Sequence, residues 1–383
     1  MTKSLKIAII AGEVSGDQLG GALMNALNAT HTVSWRGVGA DTMLAEGLSP
    51  IFPMEDIAVN GFDAIVRRLP QLLGKISEAA HSVLAFSPDC LVIVDAPEFN
   101  HRVARRVRKV APHLPIINYV SPTVWAWRSG RAKAMRPYVD LVLALFPFEP
   151  AAHQRLGGPQ CVYVGHPLFN ALKRSTPPDG EALLVLPGSR RGEIDRLMPL
   201  FGDAAALAAG ARPITLLAVP HLRERIDALV ADWPRKPNIL SGEGAKAQAF
   251  QTARAALAAS GTVTLELAAA RIPMAVAYRL DAIGKVIKAL HHIRPIVSAP
   301  SMVLANIVLG DNRIPAFLDG EATPRALAGA LTPLLDGQAE RAEQLSAFDD
   351  FHTVMSVDDA PGEQAARAVL SLLNARQSNA PTP

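Results

Sequence analysis

The sequence predicts an α/β chain of two Rossmann-like, doubly wound parallel-sheet domains, and three observations carry that prediction. Apolar runs of about five to eight residues alternate with helical patterns, the signature of repeated strand and helix units. The alternation breaks at residues 173–181, KRSTPPDGE, a polar stretch with adjacent prolines and therefore of linker composition. It then restarts, in a chain whose 383 residues and 49% hydrophobic content exceed what one core normally covers.

Taken in order, strands are expected at 6–11, 90–96, 115–120, 141–146 and 161–165, then at 182–186, 214–219, 255–259 and 273–278. This divides the chain into a first domain at 1–172, a second at 182–345 and a C-terminal helix and tail at 346–383. The Ala- and Leu-rich helices expected over 324–375 either pack back on the first domain or exchange with a partner chain, which would make a homodimer. Ligands of doubly wound sheets lie beyond the carboxyl ends of the strands, so two such halves facing each other form one central cleft.

Composition narrows the function classes. A net charge of +3 argues against general polyanion or nucleic-acid binding, while a pI near 8.9 leaves room for a local basic patch. Two cysteines, Cys90 and Cys161, lie in strand-like apolar runs and read as buried thiols of a reducing, cytosolic compartment. The chain enters its first strand without an apolar leader, and no uninterrupted apolar stretch reaches the roughly 18 residues of a spanning helix. A soluble or peripheral protein is expected.

Three strand-to-helix turns carry the candidate chemistry. GEVSGDQLGG, residues 12–21, follows the first strand. Its glycines recur every four residues, which matches neither a P-loop nor G-x-G-x-x-G. LLVLPGSRRGEI puts Gly188, Ser189 and Arg190 between a strand and a helix opening with Glu193, where free N–H groups and a guanidinium could receive a diphosphate. Capping and turn geometry alone would also use Gly and Ser there. ASGTVTLELAAARIPM repeats the arrangement with Ser260, Gly261 and Thr262, and Glu266 follows one helical turn deeper. That carboxylate is placed to take both hydroxyls of a ribose, or else serves as a first-turn acid favoured by the helix dipole.

These motifs together resemble the lipid-A-disaccharide synthase family, glycosyltransferases of the GT-B type. The resemblance spans GEVSGD at 12–17, VDAPEFN at 94–100, SPTVWAWR at 121–128, FPFE at 146–149, GHP at 165–167, LPGSRRGE at 186–193, SGTVTLE at 260–266 and LANIVLG at 304–310. It implies transfer of 2,3-diacylglucosamine from its UDP derivative to 2,3-diacylglucosamine 1-phosphate. The products would be a β-1,6-linked disaccharide phosphate and UDP, with inversion of the anomeric centre. Glu98, Ala305, Ala316 and Asp319 stand where the family more usually has Asp, Pro, Glu and Gln, whereas Asn306 matches.

Such a transfer needs a base for the attacking hydroxyl and help for the departing diphosphate. Asp95, ending CLVIVDAP at a strand's carboxyl end, is the candidate base, although an Asp before Ala-Pro can also simply shape a turn. Arg190 is the matching choice for the leaving group. If the second domain holds UDP, then Glu13, Ser15, Gly16 and Asp17 are left to meet the acceptor or the donor's sugar and diphosphate. Neither a metal nor another cofactor is called for: the histidines, His291-His292 included, show no ligand spacing. Competing readings are another GT-B enzyme with a lipid-linked acceptor, an enzyme that hydrolyses or epimerises a UDP-sugar, and a non-catalytic sugar-nucleotide binder. Trp125 and Trp127 read as packing residues rather than as platforms for a sugar.

Acylated substrates also imply contact with the cytoplasmic face of the inner membrane. Phe62, Ile65, Val66, Leu69, Leu72, Leu73, Ile76, Val83 and Leu84 recur at helical spacing, accompanied by Arg67, Arg68 and Lys75, with Pro70 expected to kink or divide the helix. Residues 102–136 hold nine Lys or Arg and no acid. An apolar stripe with a basic patch suits an interfacial protein, and equally describes a core-facing helix with a solvated charged face.

Overall fold

In the computed structural model, residues 4–57, 62–171, 176–281 and 301–378 are described, with side chains except at 62–69, 170–171 and 243. Part of the expected linker, the His291-His292 pair, and the side chains of Phe62, Ile65, Val66, Arg67, Arg68 and Leu69 thus lie outside the described residues. The chain forms two compact units, Met1–Asn170 with Val357–Pro383, and Ala171–Ser356.

The first unit runs β1 (Leu5–Ala11), α1 (Val14–Asn28), β2 (Val33–Val38), α2 (Asp41–Ala45), β3 (Leu48–Pro50), α3 (Phe62–Phe86), β4 (Cys90–Val94) and α4 (Pro97–Val110). It continues through β5 (Ile116–Tyr119), α5 (Gly130–Met135), β6 (Leu141–Ala144), α6 (Glu149–Arg155), β7 (Gln160–Tyr163) and α7 (Pro167–Ala171). All seven strands pair in parallel in the order β3-β2-β1-β4-β5-β6-β7. The order reverses direction between β1 and β4. A crevice is available at such a switch point, beyond the carboxyl ends of the two strands.

The glycine repeat of the first turn finds its explanation here. Gly12 abuts Ala96, Gly16 lies under the Val94 carbonyl, Gly20 lies against Met43, and Gly21 against Thr42. Residues four apart share a helix face, so the repeat lets α1 approach the β4 turn and α2 closely. It is a packing device and not a phosphate-loop spacing.

α3 is one 25-residue helix with Pro70 inside it. Ile76, Ala79, Ala80 and Val83 are fully buried in the core of the first unit and Leu72 and Leu84 pack against that core. Leu73, by contrast, is 42% exposed. The described part of the proposed membrane stripe is therefore mostly a core-facing stripe, because α3 must cover the sheet between β1, β2 and α4.

The second unit runs β8 (Ala182–Leu186), α8 (Arg191–Ala208), β9 (Ile214–Ala218), α9 (Arg223–Val230), β10 (Asn238–Ser241), α10 (Glu243–Thr252), β11 (Ala253–Ala259) and α11 (Val263–Ala269). β12 (Met274–Tyr278), α12 (Leu304–Leu309), β13 (Ala316–Leu318), α13 (Pro324–Asp336) and α14 (Ala339–Met355) complete it. Its six parallel strands follow the order β10-β9-β8-β11-β12-β13, with the switch between β8 and β11.

The last helix, α15 (Pro361–Ser378), belongs to the first unit and packs along α1. Ala365, Ala366, Val369 and Leu373 enter that unit's core. A Cβ on Gly362 would lie 2.6 Å from the Ala22 carbonyl oxygen, so the contact demands glycine. Asp140 ties the end of α15 by accepting from Arg376 at 2.5 Å while also pairing with Arg108.

Candidate active site

In each sheet the two candidate turns follow the two strands that flank the switch point. GEVSGD leaves β1 and Asp95 leaves β4; LPGSR leaves β8 and SGT leaves β11. Residues 83 or more positions apart in sequence are thereby neighbours at the carboxyl edge of one sheet.

The β4 turn is held in a strained form. Asp95 and Ala96 both have left-handed backbones, at φ 51° and 43°, and Val120 at the end of neighbouring β5 has φ 77°. Each costs on the order of 1–3 kcal/mol and persists only where surrounding structure enforces it. The enforcement is visible: buried Asn100, on α4, donates to the carbonyls of Ile10, Val94 and Asp95 at 3.2, 3.0 and 2.8 Å. In the sequence Asn100 only closes the motif VDAPEFN, with nothing local to mark its role. It is a positioning residue that fixes the backbone carrying Asp95.

Burial raises the Asp95 carboxyl above the usual carboxylate range, opposed by a bond from its neighbour's amide. Glu13, the N-cap residue of α1, is also raised, first by burial and then by the charge of Asp95. Two carboxyls thus share this rim, and their mutual repulsion disfavours a dianion beside them. Ser15 is exposed in the first turn of α1, and Gly16 is buried.

Asp17 has a different use from the expected one. It is 3% exposed, and its carboxylate accepts from the amides of Ala40, Thr42 and Met43 at 2.7, 2.9 and 3.2 Å. It therefore caps α2 from another helix, leaving no side-chain atom for a sugar. Asn306 is corrected for the same reason. At 2% exposure it donates to the Ile314 carbonyl and accepts from the Ile314 amide, at 2.8 and 3.0 Å, tying α12 to the approach to β13.

The SPTVWAWR and FPFE motifs meet in a buried polar cluster. Glu149 accepts from Trp125 Nε1 at 3.2 Å and from the amides of Leu145 and Phe146 at 3.1 Å each. Full burial pushes its carboxyl up to about 7. Ser121 hydrogen bonds His153 at 2.8 Å beside it. Trp125 is therefore core, as its sequence setting suggested, whereas Trp127 is 43% exposed, with the Arg128 guanidinium 4.3 Å from its ring centre.

In the second unit a cavity of about 400 Å³ opens at the switch point, lined by Gly188, Ser189, Glu193, Lys246, Ser260, Gly261, Thr262 and Glu266 among others. Its size falls in the range of small-ligand sites. Gly188 is required by its backbone, whose φ of 103° lies in the left-handed region that favours glycine. The Glu193 carboxylate lies across the turn, beside Gly188 and near the amides of Ser189 and Arg190, the donors expected to meet a phosphate. Burial raises this carboxyl, and Arg190 and those amides oppose the rise.

Glu266 ion-pairs with Lys246 at 2.6 Å. Lys246, a single lysine in the featureless segment EGAKAQAFQT of α10, was missed because no motif marks it; only the parallel neighbours β8 and β9 bring α10 to this edge. Ser260 donates to the Met302 carbonyl at 2.6 Å, and Thr262 caps α11 without a side-chain bond. Arg190 is exposed at the N-cap of α8 and does not line the cavity.

Residues 7–368 match the family model described as lipid-A-disaccharide synthetase. A relative from Nitrobacter hamburgensis named lipid-A-disaccharide synthase is 48% identical over 97% of this chain and 96% of its own. The chain belongs to the lipid-A-disaccharide synthase family. It is accordingly an enzyme, a glycosyltransferase of lipid A biosynthesis, as the motif resemblance implied. The spinosyn rhamnosyltransferase SpnG superposes with a TM-score of 0.60 at 14% identity, covering 97% of this chain and 100% of that one. A UDP-GlcNAc 2-epimerase from Neisseria meningitidis, solved bound to UDP-GlcNAc, gives 0.56 at 9% identity with 97% and 100% coverage. The synthase family thus has the GT-B fold expected from sequence, and at such low identities these two structures speak to the fold alone.

Proposed function

We propose that the chain joins UDP-2,3-diacylglucosamine to 2,3-diacylglucosamine 1-phosphate, with inversion, releasing UDP. The observation that carries this reading is the placement of all four turn motifs at the two switch points, with a half-buried carboxyl on a strained backbone at one and a nucleoside-sized cavity at the other. Asp95 takes the proton of the acceptor's 6-hydroxyl as that oxygen attacks the anomeric carbon, and the bond to the UDP oxygen breaks with its electron pair leaving on the diphosphate. Its raised affinity for a proton makes it a stronger base than a free aspartate.

UDP rests in the second unit, its ribose toward Glu266 and its diphosphate on the turn amides near Gly188, Ser189, Ser260, Gly261 and Thr262, with Arg190 closing over the leaving charge. Glu13 and Ser15 line the sugar of the acceptor. Among the described residues no helix is long and apolar enough to cross a membrane. Because both of its substrates carry acyl chains, this reading puts the protein on the cytoplasmic face of the inner membrane. Exposed Leu73 supports this, since Arg106 from the basic segment donates to its carbonyl at 3.4 Å and so brings apolar and cationic groups together. Mass spectrometry of products formed by purified protein from the two acylated sugars tests the reaction. A disaccharide phosphate is expected; a free sugar, an epimer or no turnover would each reject it.

A further inference from the structure

A second cavity, of about 200 Å³, lies within the first unit and was not anticipated from sequence. It is lined by Arg102 and Arg105 of α4, Arg131 of α5, His101, Tyr138 and Glu98, with Pro97 and Pro122 at its edge. Pro97 stands two residues beyond Asp95 and Pro122 two beyond Val120, so the cavity opens on the same carboxyl rim as the candidate base. Two residues of chain span at most about 7 Å, which is within the breadth of one sugar ring and its substituents.

Its positive charges are only partly compensated. Arg131 is held by Glu98 at 2.5 Å, and Arg105 donates to the Tyr138 hydroxyl at 3.2 Å while lying 4.8 Å over that ring. Arg102, exposed on α4, has no hydrogen-bond or ion-pair partner among the described residues. His101 meets Tyr138 at 3.1 Å and is held neutral, its acidity pushed to about 4 by burial first and then by Arg105 and Arg131. Three guanidiniums against one carboxylate leave an excess of two positive charges. Each guanidinium fork can take two oxygens of a phosphate monoester at once, and the excess charge equals that of its dianion.

We infer that this cavity seats the phosphate monoester of the acceptor, with Arg102 and Arg105 as its ligands and Arg131 as the third cation. The inference rests on the acceptor assigned above. It also relieves a conflict, because the carboxyls of Glu13 and Asp95 make the β1 turn unfavourable for that same dianion. A bound phosphate at Arg102 sets the sugar's orientation, so that the hydroxyl at the far end of the ring is presented to Asp95.

The test compares 2,3-diacylglucosamine 1-phosphate with 2,3-diacylglucosamine as acceptors in detergent, for the parent and for Arg102→Gln, Arg105→Gln and Arg102→Lys. Loss of a charge-assisted contact should raise the acceptor KM about 10- to 100-fold in the two Gln variants. It should also abolish the preference for the phosphorylated acceptor and leave the donor KM unchanged, with Arg102→Lys in between. An unchanged preference in Arg102→Gln would overturn the inference. So would a variant that keeps the preference but no longer sediments with phosphatidylglycerol vesicles, since the cavity would then read a lipid headgroup. Calorimetry with water-soluble glucosamine 1-phosphate and glucosamine separates this from the proposed reaction. Phosphate-dependent binding lost in Arg102→Gln supports the seat even if no disaccharide forms, and no phosphate-dependent binding by the parent rejects it even if disaccharide does form.

Discussion

Gly12 and Ala96 sit so close that a methyl group on Gly12 would lie 2.6 Å from the Ala96 Cβ. This one contact presses the turn after β1 against the turn after β4, and the backbone of Ala96 is the one that follows Asp95. Gly12→Ala should therefore displace the candidate base without touching the second unit. A displacement of about 1 Å in a reacting group can cost on the order of 100-fold in rate. Turnover is expected to fall by about that factor while calorimetric UDP affinity stays unchanged. Parent-like turnover in a folded Gly12→Ala variant would show that the turn is not coupled to the chemistry.

Asp95→Asn keeps the shape of the side chain and removes its ability to accept a proton. Turnover should drop by roughly two to four orders of magnitude. The pH profile gives an independent check. A base acts only when ionised, and burial raises Asp95, so the acidic fall in kcat/KM of the parent should occur at a higher pH than for an ordinary aspartate. Asp95→Asn should lose that limb together with the rate, and a limb that survives would belong to another group.

The Glu193 carboxylate lies beside Gly188 and near the amides of Ser189 and Arg190, so its charge opposes any diphosphate that comes to the same turn. Glu193→Gln is expected to tighten UDP several-fold by removing a like charge from its seat. Glu266→Ala and Arg190→Ala should each weaken UDP by about 1.5–3 kcal/mol if charge-assisted bonds are lost. Calorimetry on the three variants decides, and UDP affinity unchanged in all of them would move the nucleotide away from this cavity.

Leu73 offers a clean test of membrane contact because it is exposed, unlike Leu72, which packs against the core. Leu73→Glu should leave thermal stability nearly unchanged and reduce co-sedimentation with phosphatidylglycerol vesicles several-fold. Added salt should weaken what binding remains in the parent as it screens the basic segment. Unaltered vesicle binding in the variant would remove this part of α3 from the interface.

The central strands were legible because burial on both faces leaves uninterrupted apolar runs: β1, β4 and β8 are nearly or wholly buried along their length. The strands without a sequence signature, β2, β3, β10 and β13, lie at or next to sheet edges and are short or half-exposed. Their composition carries neither a run nor a clean alternation. At the candidate site, turn motifs beside strand ends could be found from sequence, but the partners of their side chains could not. Nothing local distinguishes Asp17, which caps α2 from 23 to 26 residues away, from an acid awaiting a sugar. The four-residue glycine spacing likewise has two physical meanings, and only the neighbours Ala96, Val94, Met43 and Thr42 select close helix packing.

Because α15 fills part of the first unit's core while the whole of Ala171–Ser356 intervenes in the chain, this protein cannot complete its first half first. On a ribosome adding about 5–20 residues per second, the wait between the last strand of that half and its closing helix is roughly 10–40 s. During that interval the α1 face around Ala22, which Gly362 later meets at van der Waals limits, is open to solvent and to other nascent chains. Vectorial synthesis therefore makes the order of maturation the reverse of the order of the sequence: the second unit can close on itself, and the unit that holds Asp95 becomes whole only when the last helix arrives.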